Sequence, residues 1–304
     1  MNADPERGCA VGARSRAICW ERGTLARNPT DAGGTPALPI ARKRAPTCVL
    51  TIAGSDSGAG AGIQADMRTI HALGGFACTA ITAVTAQNTR GVTRWVAMPP
   101  RMITAQIEAV LADLPITAVK TGLLPGTPAV LAVARALADR RLPLVVDPVI
   151  GSTSGTRFLE DAGLRALRRH LLPLATLVTP NRPEAEALTG RRVRSFDETE
   201  AAARALSDKW GCAVLIKGGH APGAVCRDCL VSPGGRGRWF ESPRVATSNT
   251  HGTGCVLSAA IATKLALGED IATAVRGARA FLMRGLRAGK NVGWGGAGPA
   301  FAGD

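Results

Sequence analysis

The chain has 304 residues, with 37 Lys and Arg against 23 Asp and Glu and a formal charge of +14. Its 46% hydrophobic and 20% charged residues suit one large α/β domain or two ordinary ones, and argue against wholesale disorder. No stretch approaches the roughly 18 uninterrupted apolar residues of a membrane span, the first ten residues lack the layout of a secretory signal, and no Tyr with only 5 Trp and 6 Phe leaves no aromatic-rich surface for stacking bases.

Residues 1–46 have no apolar period and contain Pro29, Gly33, Gly34, Pro36, Pro39 and Pro46. They are expected to form a flexible, disordered extension ahead of a domain over 47–304. After Pro46 the texture changes. Residues 48–53 read as a buried strand ended by Gly54, and a Gly-rich turn opens a helix over 60–73. A strand is expected over 76–85, a helix over 100–114, a short strand over 118–120 and a helix over 127–139. Then come a strand over 144–146, a helix over 158–171, a strand over 175–179, and a helix over 197–209 with Asp197 and Glu200 as its N-cap pair. A strand over 213–216 precedes a hairpin joining 230–231 to 239–240, with the 226–242 region as a flap beside the site. Helices over 254–267 and 271–286 close the chain. Repeated strand-then-helix units imply a mostly parallel sheet covered on both faces, with ligands at the carboxyl ends of the strands.

Of the charge, +4 falls in residues 1–46 and +10 beyond. Thirty-one of the cations are Arg, scattered along helical patterns, so the bias reads as solvated helix faces rather than a nucleic-acid surface. A cationic body still attracts polyanionic substrates such as nucleotides. Eight Cys spread without a signal peptide favour reduced thiols in a cytoplasm. Cys226 and Cys229 form a lone C-x-x-C without the second pair that a zinc site needs.

Four segments after strands carry chemistry. The first, residues 54–66, has glycines that let backbone amides approach a ligand at a helix start. Residues 60–65 match G-x-G-x-x-A, but no acidic residue lies between Asp66 and Glu108, which excludes the nicotinamide reading. The second is Asn181-Arg-Pro-Glu184; with Asp147 it puts two carboxylates near one sheet edge, as phosphoryl-transfer sites hold Mg²⁺. Glu184 is equally a first-turn helix glutamate. The third is Lys217-Gly-Gly-His220, where a Lys ending an apolar strand suits a phosphate contact. The fourth, Asn249-Thr-His-Gly-Thr-Gly-Cys255, opens a helix whose amides and dipole form an anion hole. Cys255 in that first turn is expected to be an acidified thiol, able to take a proton from a substrate hydroxyl, or else a small buried helix residue.

Together TIAGSDSGAGAGIQAD, TAVTAQNTRGV, VKTGLL, DPVIGSTSG, TPNRPEAEAL, IKGGH and NTHGTGC, in this order, resemble the ribokinase superfamily. Within it they resemble the hydroxymethylpyrimidine/phosphomethylpyrimidine kinases of thiamine biosynthesis. The resemblance implies a ribokinase-like three-layer αβα sandwich and phosphorylation of a pyrimidine alcohol, and of its monophosphate, by ATP with Mg²⁺. Gly54, Asp66, Gln87 and Leu123 resemble the pyrimidine-binding set, with Leu123 standing where the family usually has Met. Asp147 and Glu184 fall where Mg²⁺ is handled, and Asn181, Glu184, Lys217 and His251 where ATP is bound. Lys217, Gly252, Thr253, Gly254 and Cys255 match the catalytic Lys, the anion hole and its base. Cys at 255, where most sugar kinases of the superfamily have Asp, and Gln at 87 side with the pyrimidine branch. The resemblance further implies a cytoplasmic homodimer with small-molecule partners and no nucleic acid or membrane. A pyridoxal kinase of the same fold and a non-catalytic ligand-binding regulator are the alternatives.

Overall fold

The computed structural model describes residues 46–151, 157–219 and 223–300. The expected extension, His220 and part of the 147–155 motif lie outside the described residues. The strands are β1 Cys48–Asp56, β2 Phe76–Asn88, β3 Gly91–Ala97, β4 Ile116–Thr121, β5 Leu144–Val146, β6 Leu177–Val178, β7 Ala213–Ile216, β8 Val225–Val231 and β9 Arg238–Pro243. The helices are α1 Gly62–Ala72, α2 Pro100–Asp113, α3 Gly126–Leu137, α4 Asp161–Ala166, α5 Arg182–Thr189, α6 Phe196–Trp210, α7 Thr253–Ala266 and α8 Ile271–Gly289. Among the described residues no helix is long and apolar enough to cross a membrane.

One sheet orders the strands β3-β2-β1-β4-β5-β6-β7-β8-β9. Pairing from β2 through β7 is parallel, and the outer pairs β2–β3, β7–β8 and β8–β9 are antiparallel. Successive strand residues feed opposite layers. Leu50 and Ile52 pack with Ile103 and Ile107 of α2 and Val130 of α3, while Val49 packs with Ile70 of α1, Val256 of α7 and Phe281 of α8. Both faces of the central strands are thereby buried, which explains their unbroken apolar runs.

The expected order of elements holds, with differences at particular places. β1 continues past Gly54 to Asp56, through a register shift against β2 between Ala53 and Ser55. β2 runs on to Asn88 and turns through Thr89 and Arg90 into β3, an element that the sequence pattern does not display. That turn carries no Asn-Gly signal, and every residue of β3 from Thr93 on is exposed, so no alternation marks it. Only residues 161–166 of the expected 158–171 helix are α-helical; Leu167–Leu171 is a π-helical turn.

The N-cap of α6 is Ser195, not Asp197. The Ser195 side chain accepts from the Glu198 N–H at 3.1 Å, and Glu198 Oε2 accepts from the Ser195 N–H at 2.9 Å. Glu200 instead binds the following hairpin, accepting from the Gly237 N–H at 3.0 Å and from Trp239 Nε1 at 3.3 Å. Ser195→Ala is expected to cost about 1 kcal/mol, read as a lower urea midpoint at unchanged slope.

The region expected as a flap is a sheet edge. β8 pairs with β7, and Arg279 of α8 is ion-paired with Asp228 and donates to Ser242 Oγ at 3.0 Å. Cys226 and Cys229 sit three residues apart in β8 and so face opposite sides of the sheet; both are free thiols.

Candidate active site

The polar residues gather at the carboxyl ends of the parallel strands. Asp56 ends β1, Lys120 and Thr121 end β4, and Asp147, Thr179 and Lys217 follow β5, β6 and β7. The chain runs outward from β1 to β2 and returns to β4 on the other side, so a topological switch point lies between β1 and β4.

On the β2 side, three amides of the glycine-rich loop after β1 are satisfied within the protein. Asp56 collects them, accepting from the N–H groups of Gly58 at 2.8 Å, Gly60 at 3.1 Å and Ala61 at 2.9 Å. The same carboxylate lies 2.9 Å from His251 Nε2, which is 3.0 Å from the Gln87 amide. His251 thus stands with Gln87 and Asp56, where the sequence reading had set it among the ATP contacts.

The two loops close glycine to glycine. Gly252 has φ +79°, and a Cβ there would run into the Gly60 carbonyl. A Cβ on Gly60 would in turn strike the His251 ring. Gly252→Ala is therefore expected to displace the 251–255 segment and lower kcat/KM about 10²-fold with the fold retained, checked by steady-state kinetics beside a thermal melt.

At the switch point, Asp66 on α1 is fully buried. Its Oδ2 accepts from Thr51 Oγ1 at 2.5 Å and from Lys120 Nζ at 2.8 Å, while its buried Oδ1 has no hydrogen-bond partner in the protein. Lys120 is also 0% exposed. Burial works against its ammonium, but the charges of Asp66 and Asp147 outweigh burial and hold it protonated, above the ordinary range. Lys120 escaped the sequence reading as a functional residue; its signal was a Lys, one of six, inside an apolar strand. Gly54 approaches Leu123 so closely that a Cβ would lie 2.8 Å from Leu123 Cδ2. Gly54 and Leu123 thus meet as an apolar wall beside this pair.

On the far side, Asp147 Oδ1 accepts from Lys217 Nζ at 2.8 Å and from Thr179 Oγ1 at 3.1 Å. Lys217 is thus paired to a carboxylate. A Cβ on Gly254 would sit 3.3 Å from both Asp147 Oδ2 and Lys217 Nζ, so the start of α7 faces this pair. Asn181 and Glu184 form a capping box on α5: Asn181 Oδ1 accepts from the Glu184 N–H at 2.8 Å, and Glu184 Oε2 accepts from the Asn181 N–H at 2.7 Å. Glu184 therefore does cap a helix. Burial pushes its carboxyl up to about 7, with Lys217 pulling down and Asp147 pushing further up.

Residues 251–255 bridge the groups. His251 meets Gln87, Gly252 meets Gly60, Gly254 meets Asp147 and Lys217, and Cys255 feels the charges of Lys120, Asp66 and Asp147. Thr253 turns its N–H back to the Thr250 carbonyl at 3.3 Å. The expected acidified thiol is not found. Burial pushes Cys255 up to about 11; Lys120 and the Gly62 N–H pull it down, and Asp66 and Asp147 push it up. Burial of the thiol, with two carboxylates near it, outweighs Lys120 and the helix start that the sequence displays.

Residues 56–300 match the family described as phosphomethylpyrimidine kinase. A hydroxymethylpyrimidine/phosphomethylpyrimidine kinase of Streptomyces coelicolor is 44% identical over 84% of this chain and 93% of its own length. A thiamine biosynthesis bifunctional protein of Geobacter sulfurreducens is 42% identical over 81% of this chain, which spans 50% of that relative. Among solved structures, a phosphomethylpyrimidine kinase from Clostridium difficile superposes with a TM-score of 0.69 at 38% identity, covering 78% of this chain and 98% of that one. A pyridoxal kinase from Staphylococcus aureus in complex with ADP gives 0.77 at 30% identity, covering 84% and 94%.

Proposed function

Because the chain belongs to the phosphomethylpyrimidine kinase family, we propose that it phosphorylates 4-amino-5-hydroxymethyl-2-methylpyrimidine with ATP, and then the monophosphate to the diphosphate, in thiamine biosynthesis. The observation that carries this reading is the reach of residues 251–255, from Gln87 to the Asp147–Lys217 pair. An acceptor ring held near Gln87, Gly54, Asp66 and Leu123 thus shares one segment with a cation that can meet phosphate. The unpartnered Asp66 Oδ1 suits an exocyclic amine.

The thiolate form of Cys255, stabilised by Lys120, takes the proton of the hydroxymethyl group. The amides opening α7, at Gly254 and Cys255, face the phosphoryl group in transit, where helix N–H groups lack helical partners. Lys217 exchanges its Asp147 partner for phosphate oxygens. Asn181 and Glu184 border the ATP side.

Mg²⁺ belongs to this reading. Asp147 keeps Oδ2 outside its bonds to Lys217 and Thr179, and Glu184 adds a second carboxylate. Two carboxylates suffice for Mg²⁺, which draws its other ligands from water and substrate phosphate. When bound, the ion neutralises phosphate charge.

Residues 47–304 are proposed to carry the activity, as a cytoplasmic homodimer. The exposed Val84 and Val96, directly paired across β2 and β3, offer apolar surface for a second copy.

The test is a panel of pyrimidine alcohol, its monophosphate and pyridoxal with Mg²⁺–ATP. Turnover of both pyrimidines is expected. Turnover of pyridoxal alone would replace this reading with a pyridoxal kinase like the Staphylococcus aureus enzyme that this chain resembles, and turnover of none with a non-catalytic binder.

A further inference from the structure

His251 Nε2 stands between two partners, Asp56 Oδ2 at 2.9 Å and the Gln87 side-chain nitrogen at 3.0 Å. Asp56 is ionised. Burial opposes its charge, but hydrogen bonds from His251, Gly58 and Ala61 outweigh burial and hold it below the usual carboxylate range. A carboxylate only accepts, so Nε2 carries a proton and donates to Asp56. A protonated Nε2 cannot also accept from an amide NH₂.

The other end of the Gln87 amide meets a matching conflict. Thr85 Oγ1 has one proton and gives it to the Ser55 carbonyl at 2.9 Å. It cannot also donate it to Gln87 Oε1, 3.3 Å away. Both conflicts vanish when the amide oxygen and nitrogen exchange places, a choice that hydrogen-bond counting decides. The oxygen then accepts from His251, which shares its proton with Asp56, and the nitrogen donates to Thr85.

We propose that Asp56 and His251 are positioning residues that hold the Gln87 amide with its carbonyl toward His251 and its NH₂ toward Thr85, and so set which ring edge the pocket accepts. This rests on Gln87 reading the pyrimidine. A fixed amide presents an acceptor beside a donor in one order. That is the complement of an aminopyrimidine edge, where an exocyclic NH₂ adjoins a ring nitrogen, the second N–H of that amine being the one that suits Asp66 Oδ1. Asp56 is itself fixed by three backbone N–H groups. The His251 backbone is held on both sides, by the Gly298 carbonyl at 3.0 Å and the Ala300 N–H at 2.9 Å. Asp56 cannot turn, and the anchored His251 backbone keeps the imidazole at that carboxylate, so the pair does not follow a misplaced Gln87.

The tautomer tests this directly. Full-length protein with ¹⁵N-labelled histidine is measured without substrate by long-range ¹H–¹⁵N correlation, the His251 signals being those lost in His251→Ala. A proton on Nε2, in the neutral or cationic ring, is expected; a neutral ring protonated on Nδ1 alone overturns the proposal. In kinetics, His251→Ala and Asp56→Asn are expected to raise KM for the pyrimidine alcohol about tenfold, with KM for ATP within about twofold. His251→Gln can place an N–H where Nε2 stands, and is expected to recover most of that loss. A raised KM for ATP with an unchanged KM for the pyrimidine also overturns the proposal. If Asp56→Asn does not fold, the wild-type tautomer and the His251 pair still decide. A wild-type protein that phosphorylates no pyrimidine contradicts the functional reading, whereas the wrong tautomer contradicts only this one.

Discussion

Replacing Cys255 by Ala is expected to lower kcat for the pyrimidine alcohol by about 10²–10⁴ while KM for ATP changes little. Ala keeps the helix start and removes only the group that can accept the hydroxyl proton. The thiol sits among Lys120, Asp66 and Asp147, and burial pushes it up to about 11. In the free protein at neutral pH it is therefore protonated, and the thiolate fraction grows as pH rises. Wild-type kcat/KM is accordingly expected to climb between about pH 7 and 9, a climb that Cys255→Ala loses. Anything that neutralises Asp147 removes a charge that opposes the thiolate. Asp147→Asn should thus speed alkylation of Cys255, followed on its own peptide by mass spectrometry. Near-wild-type turnover by Cys255→Ala would remove the thiol from the reaction and leave it as a packed helix residue.

The second large effect concerns stability. Lys120→Met is expected to cost about 3–5 kcal/mol, because it strips a fully buried carboxylate of its counterion. Asp66 has Thr51 Oγ1 as its other hydrogen-bond donor and lies at 0% exposure, so water cannot replace the ammonium. At roughly 2–4 °C per kcal/mol for a domain of this size class, the melting temperature should fall by roughly 6–20 °C. Combining Lys120→Met with Asp66→Asn removes both charges and should recover much of the loss, a coupling read by a double-mutant cycle. A single Lys120→Met variant melting within about 2 °C of wild type would show that the pair is not ionised as described. The pair costs desolvation that an apolar pair would avoid, and it lies at the switch point where Cys255 feels both of its charges.

The parallel core was legible in the sequence because strands buried on both faces must be apolar throughout, and their runs end where polar residues begin. Asp147 and Lys217 are therefore legible as strand-end residues, and the 249–255 segment as the opening of a helix. Seven motifs in one order pointed to the same fold and chemistry. β3 was not legible, since an exposed edge strand has no apolar period. Nor was the cap of α6, where Ser195–Glu198 and Asp197–Glu200 present similar patterns and only the chain direction into the helix separates them.

Periodicity reports how deeply each residue is buried, and to that extent the fold and the motif positions followed from the sequence alone. It carries no information about which buried polar groups meet. Lys120 reaches Asp66 across 54 residues because β4 pairs with β1, and His251 reaches Asp56 across 195 because the 249–255 segment closes on the loop after β1. The charge state of Cys255 was likewise decided in three dimensions. A helix start lowers a thiol's pKa, but burial and two neighbouring carboxylates raise it, and their sum depends on distances that only the tertiary structure sets.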